Sequence, residues 1–284
     1  MRETSNPVFR SLPKQRGGYA QFGTGAAQTQ QGYYQADPYM APYQEAPYRE
    51  AKVSRPVTID DVVTKTGITL GVLTAAAVVS FYLVTSNLAL ALPLTLIGAL
   101  GGFGLVMLAT FARKQDNPAI VLSYAVLEGM ALGAISFVFA NFQVSHANAG
   151  ALIGEAILGT FGVFFGMLVV YKTGAIRVTP KFTRMVVAAL FGAIFLMLGN
   201  AILAWFTHGT GLGLRSGGPI AIIFSLVMIG IAAFTFLIDF DAADQMIRAG
   251  APEKAAWGIA LGLTVTLVWL YLEILRLLSY FQER

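Results

Sequence analysis

After about 58 polar residues the chain becomes a series of seven long apolar runs separated by short polar breaks. The runs lie at about 66–86, 91–112, 119–141, 150–171, 184–207, 219–240 and 257–281. Each is close to the roughly 20 residues that a helix needs to cross a hydrocarbon core about 30 Å thick. None alternates apolar and polar positions with the period of a membrane β-strand. The pattern predicts an all-α membrane protein, a seven-transmembrane-helix bundle over residues 59–284, with short connections that make neighbouring helices antiparallel. Arg276 and Arg284, near the end of the seventh run, fit a re-entrant segment as the alternative to a full seventh crossing.

Composition agrees with the pattern. The chain is 56% hydrophobic and only 12% charged, about half the charge of a soluble domain. Residues 1–58 differ: Gln28-Thr-Gln-Gln31-Gly-Tyr-Tyr34 and Tyr39-Met-Ala-Pro-Tyr43 typify a Gln/Tyr/Pro/Gly-rich stretch. Such a segment buries too little apolar surface to offset its ordering entropy, so a disordered N-terminal tail is expected. It has no apolar core of a signal peptide. Its prolines and tyrosines would also suit a docking tail for a membrane-protein partner.

Charge sets the orientation. Lys52, Arg55 and Lys65 flank the first run. Arg113 and Lys114 follow the second, Lys172, Arg177, Lys181 and Arg184 lie between the fourth and fifth, and Arg248 and Lys254 between the sixth and seventh. The intervening loops carry almost nothing except Arg215. The positive-inside rule makes the N-terminus cytoplasmic. The sequence pI near 9.3 reflects this topology charge and not nucleic-acid binding. Small residues recur four apart, at Gly98 and Gly102, Gly129 and Gly133, Gly162 and Gly166, and Gly258 and Gly262. In lipid such pairs permit close helix approach, within one bundle or along a dimer seam.

The informative chemistry is acidic. Asp239 closes the sixth run, with Asp241 and Asp244 just beyond, Glu273 lies deep in the seventh, and Glu128 near the middle of the third. A charge at membrane depth costs several kcal/mol unless it is neutralised, paired or wet, which makes such residues functional candidates. Arg113 and Asp239 share the cytoplasmic face by the loop assignment, and Glu273 could approach them if the seventh helix extends into the cytoplasm. Two carboxyls brought together in low dielectric cannot both stay ionised cheaply, so Asp239 and Glu273 would share a proton as a latch. The same oxygens suit a hard cation such as Ca²⁺. Arg276, one turn beyond Glu273, could instead neutralise it within the helix, and Glu128 and Glu273 could each be a neutral interhelical hydrogen-bonding acid.

Other chemistry finds little support. There are no cysteines, so neither disulfides nor a thiolate metal site can form. His146 and His208 sit far apart in predicted loops, against a histidine metal site. No HExxH, GxSxG or phosphate-loop pattern occurs, so no enzymatic activity is expected. Intramembrane aspartyl proteolysis would need a second aspartate where Glu273 stands.

Leu267-Val-Trp-Leu-Tyr271-Leu-Glu273-Ile-Leu-Arg-Leu-Leu and Asp239-Phe-Asp241 resemble the last two helices of the Bax inhibitor family, in its bacterial branch. Ser5-Asn-Pro-Val-Phe9 resembles actinobacterial members. The resemblance covers about residues 60–284. It implies a seven-helix bundle in a bacterial inner membrane, with a pH-responsive carboxyl pair on helices six and seven and an arginine after helix two that interacts with it. By motif these are Asp239, Glu273 and Arg113, with Glu273 standing where relatives usually carry Asp. Asp241 is the alternative helix-six acid. The implied function is a pH-sensitive calcium leak, opened by deprotonation, with Asp239 and Glu273 on the Ca²⁺ path and no cofactor. A regulator of other membrane proteins, such as a membrane protease, is the alternative. A secondary transporter is less well supported, because no inverted repeat is visible.

Overall fold

The computed structural model describes residues 55–143, 149–207, 209 and 211–282. The tail before residue 55 and both histidines lie outside the described residues. Seven helices form in chain order: α1 (Ile59–Ser86), α2 (Ala91–Phe111), α3 (Pro118–Val138), α4 (Ala149–Thr173), α5 (Pro180–Thr207), α6 (Pro219–Arg248) and α7 (Ala255–Gln282). All seven are long and apolar enough to cross a membrane. The protein is therefore a multi-pass helical membrane protein. α7 is a continuous helix of 28 residues, long enough for a full crossing and not a re-entrant segment.

Two helices overrun their apolar runs. α1 begins at Ile59 and α6 continues to Arg248. The added turns carry Asp60, Asp61 and Lys65 on α1, and Asp241, Asp244 and Arg248 on α6. At 1.5 Å per residue, the 30 residues of α6 span roughly 45 Å, half as long again as a hydrocarbon core. Asp239 thus lies within a helix and not at its end, a correction to the expectation from hydropathy.

The helix ends follow local chemistry. Thr58 caps α1 in a reciprocal box with Asp61. Asn117 caps α3, and Pro118, Pro180 and Pro219 open α3, α5 and α6, where proline has no hydrogen bond to lose. Three helices end alike on the face where α1 begins, called here the N-terminal face. Lys114, Ala175 and Ala251 donate their N–H groups five residues back, to Ala109, Val170 and Met246, which is the Schellman closure. Gly174 and Gly250 supply the left-handed residue in α4 and α6, at φ 67° and 66°. In α2 that residue is Arg113, at φ 52°. For a side-chain-bearing residue this conformation costs about 1–2 kcal/mol.

α7 is the axis of the bundle and packs on α1, α3, α4 and α6. In its spanning window 67% of residues are buried, against 11% for α2, α4 and α5, whose apolar faces are left to lipid. Phe236 and Phe240 of α6, Leu152 of α4 and Leu263, Leu267 and Leu270 of α7 form the main core. α1, α2 and α3 pack more tightly, backbone against backbone. A Cβ on Gly133 would collide with the carbonyl oxygen of Ala77 in α1, and one on Gly98 with Leu127 and Ala131 of α3. Ser80 of α1 adds a hydrogen bond to the Met130 carbonyl at 2.7 Å. Gly162 and Gly166, by contrast, face open space on α4. Gly133→Ala is therefore expected to lower stability by about 1–3 kcal/mol through overpacking. Gly162→Ala should be neutral or slightly stabilising, since alanine is the better helix former. Thermal unfolding in detergent compares the two, and equal effects would refute the close α1–α3 seam.

An ionic strap closes the N-terminal face. Arg55 donates to both oxygens of Asp61, at 2.9 and 2.7 Å, and its Nε lies 3.3 Å from Glu253 in the α6–α7 turn. Lys65 reaches the same Glu253, and Lys254 pairs with Asp116 in the α2–α3 turn at 2.7 Å. Backbone bonds from Val57 to Ala251 and from Glu253 to Arg55 complete the strap. Residues 55–58, expected to belong to the tail, are thus part of the folded bundle.

Candidate functional site

The acidic residues singled out from the sequence occupy four separate settings. Asp239, partly buried on α6, accepts a hydrogen bond from the Thr266 hydroxyl of α7 at 2.7 Å. The Gly262 carbonyl, at 3.3 Å, is the other neighbour of that hydroxyl. Asp239 lines a cavity of about 350 Å³ together with Arg113, Thr110, Gln115 and Asp116 at the α2 end, and with Met246 of α6. Asp239 lies nine residues before the end of α6 at Arg248 (248 − 239), roughly 13 Å inside it. The structure therefore brings Asp239 and Arg113 to one cavity, but no ion pair joins them. The exposed Arg113 side chain stands at the strained α2 terminus.

Glu273 is in a different place. It is 2% exposed and is gripped by Arg215 in a fork, with Nη1 2.9 Å from Oε2 and Nη2 2.8 Å from Oε1. Arg276, one turn along α7, adds a third bond at 3.0 Å. Each guanidinium also covers an aromatic ring, Arg215 over Phe224 at 5.2 Å and Arg276 over Phe139 at 6.0 Å. A bidentate arginine fork is among the stronger charge-assisted contacts and suits a carboxylate removed from water. The buried Tyr280 side chain lies on α7 one turn beyond Arg276, at 5% exposure.

Local sequence explains how Arg215 gets there. The α5–α6 loop turns on Gly211, Gly213 and Gly217, at φ 65°, 73° and 77°, conformations that glycine adopts without strain. Asn200 of α5 accepts the Leu212 N–H at 2.8 Å. Leu214 is buried with Ala193, Phe224 and Met228. The loop is thus folded back into the bundle, and Arg215 enters as a plug from the face opposite the Asp239 cavity.

The pairing of the Asp239 and Glu273 carboxyls, expected directly or through one water, is therefore not formed: Asp239 is bonded to Thr266 and Glu273 to Arg215 and Arg276. The antiparallel register of α6 and α7 sets Asp239 opposite Thr266. Glu273 is seven residues further along α7 (273 − 266), two turns or roughly 10 Å. Glu273 also lies 18 residues after the start of α7 at Ala255 (273 − 255), closer to the far face than the sequence suggested. The two carboxylates consequently do not present one shared oxygen set to a cation. Among the described residues no three His, Asp or Glu side chains converge as a metal cage.

The secondary candidates are also placed. Asp241 and Asp244 turn to α4, where the Tyr171 hydroxyl lies 3.4 and 3.3 Å from them. Gln245 donates to Asp241 at 2.6 Å, and Arg248 pairs with Asp244 at 2.8 Å. Asp241 is thus engaged away from Glu273. Glu128 lies in the α2–α3 seam, its carboxylate over Gly102 beside Tyr124, so it faces a neighbouring helix. Two participants are not assigned to the site by the sequence. Thr266 is an ordinary helix threonine with no signal of its own. Arg215 did have one, as the single basic residue in loops otherwise without positive charge.

A family model described as Bax inhibitor 1 like matches residues 6–283, nearly the whole chain. No curated protein matches it.

Proposed function

The chain belongs to the Bax inhibitor 1 like family, and on that footing we propose that it is a pH-sensitive calcium leak of a bacterial inner membrane, with its N-terminal face in the cytoplasm. The observation that carries this reading is the arrangement of Asp239, a carboxylate held well inside a membrane helix and lining a cavity shared with Arg113. The distribution of Lys and Arg among the loops supports a cytoplasmic placement of that cavity. Beyond Asp239 the buried side chains of Phe236 and Leu270 fill the α6–α7 interface, and beyond them stands the Arg215–Glu273–Arg276 cluster. In this state the path is shut twice, by an apolar layer and by an arginine plug.

The mechanism differs from a shared-proton pair. Protonated Asp239 offers Ca²⁺ no charge and keeps its bond to Thr266. Ionised Asp239 attracts the cation to the end of the cavity, and parting of α6 from α7 lets it advance toward Glu273. A hard cation suits carboxylate oxygens, and a single carboxylate lets it keep most of its water and leave again. Flux accordingly rises with pH. Asp239→Asn keeps the shape and removes the titrating group, so it should give low flux with little pH dependence between about pH 5 and 8. Calcium entry into dye-loaded liposomes measures this, and an unchanged pH profile in the variant would remove Asp239 from the mechanism.

Regulation of other membrane proteins is the second reading, and the strap favours it. Residues 55–57 link the tail to the α6–α7 turn, so a partner bound to the tail would act directly on the hairpin that carries Asp239. Purified protein that passes no calcium at any pH would leave this reading in place of the leak.

A further inference from the structure

A second and larger cavity, of about 540 Å³, lies on the opposite side of α7 from Asp239 and Glu273. Its walls are α1, α3, α4 and α7, and no charged residue is among those that line it. α1 packs mainly on α3 and α7, and α4 on α6 and α7, which leaves the flank between α1 and α4 open among the described residues. The mouth is formed by Val78 and Tyr82 of α1 and Phe161 of α4, at 50%, 68% and 39% exposure. These residues belong to the lipid-facing surface of a membrane bundle, so the cavity is a lateral extension of the lipid interface. Its deep wall is Leu132, Val268 and Tyr271. The inner hydroxyls are paired: those of Tyr271 and Ser136 bond each other at 2.7 Å, and Thr160 donates to the Ala156 carbonyl at 2.7 Å, while Thr74 and Tyr82 lie on the exposed α1 side.

We propose that this cavity is a binding site for an acyl chain of a bilayer phospholipid, which enters between α1 and α4 and lies against Leu132, Val268 and Tyr271. The volume is within the range of roughly 300–1,000 Å³ typical of ligand sites. A space whose inner hydroxyls are already paired offers water few partners, and left empty it forfeits the dispersion contacts of its lining. The bilayer supplies a long, flexible, apolar occupant at the mouth. The headgroup stays in the interface, since nothing inside the cavity would replace its hydration.

The test is photolabelling in bilayers of phosphatidylcholine that carries a diazirine midway along one chain, with the labelled residues mapped by mass spectrometry. Leu132 and Val268 are 5% and 6% exposed, so only a chain inside the cavity reaches them. Label on these two residues, alongside the outward Leu158 and Phe165, is the expected result. Ile153→Trp and Thr74→Phe, which fill the cavity from α4 and α1, should each reduce the inner label by roughly tenfold and leave the outer label unchanged. Label confined to outward residues in the wild-type protein would overturn the proposal. So would inner label that persists in both filled variants, or inner label obtained with a diazirine fatty acid but never with the phospholipid. The readout is independent of calcium flux, so failure of the leak reading does not affect it.

Discussion

Glu273→Ala is expected to destabilise the bundle by about 3–5 kcal/mol, because it leaves two arginines facing each other without their shared anion. Arg215 and Arg276 are only 23% and 24% exposed, so water cannot fully replace the carboxylate. Glu273→Gln keeps an acceptor oxygen for one guanidinium and should fall between the alanine variant and wild type. Unfolding in detergent, followed by loss of near-ultraviolet signal, gives the comparison. An alanine variant as stable as wild type would show that Glu273 is not the counter-ion of this cluster. A double-mutant cycle with Arg215→Ala isolates the pair. The two changes should be strongly non-additive, since both remove the same contact.

The second large effect concerns flux. Arg215→Ala removes the plug but leaves Arg276 on Glu273 at 3.0 Å, so the carboxylate stays paired and the fold persists. A charge-assisted hydrogen bond contributes about 1.5–3 kcal/mol. Its loss from the closed state should raise calcium flux roughly ten- to a hundredfold, at one decade per 1.4 kcal/mol. The rise should appear at every pH, because a guanidinium does not titrate in the working range. Arg215→Lys should recover part of the closure, as a point charge without the fork. Wild-type flux in the alanine variant would mean that the α5–α6 loop does not obstruct the path.

Most of the architecture could be read from the sequence, because the bilayer imposes one requirement on every span. Continuous apolar runs and short basic loops located seven helices to within a few residues at most ends. The errors fell where that requirement stops. The last turns of α6 and the first of α1 project beyond the hydrocarbon, where Asp241, Asp244 and Asp61 are stabilised by partners that hydropathy does not register. Strap residues 55–58 look like tail by composition, and their contacts with Asp61, Glu253 and Ala251 tie them down.

The site was legible as a set of residues and not as a geometry. The cost of an intramembrane carboxylate marks Asp239 and Glu273 without knowledge of the fold. Which groups neutralise them depends on the register of α6 against α7, and single-residue patterns do not encode a register between separate helices. Arg276 was accessible because i,i+3 neighbours meet on any helix. Arg215 was not, since a glycine-rich loop can fold inward or outward with equal local ease. Arg113 is an intermediate case. Its position after α2 was visible, whereas its left-handed backbone, at φ 52° where α4 and α6 use glycine, emerges only from the three parallel helix ends.

Calcium entry into liposomes holding purified wild-type protein, measured from pH 5 to pH 8 beside Asp239→Asn, tests the central claim most directly. The leak mechanism predicts wild-type flux that climbs as pH rises, and low flux without that climb in Asp239→Asn. Wild-type liposomes no more permeable than empty ones across the whole range would contradict it.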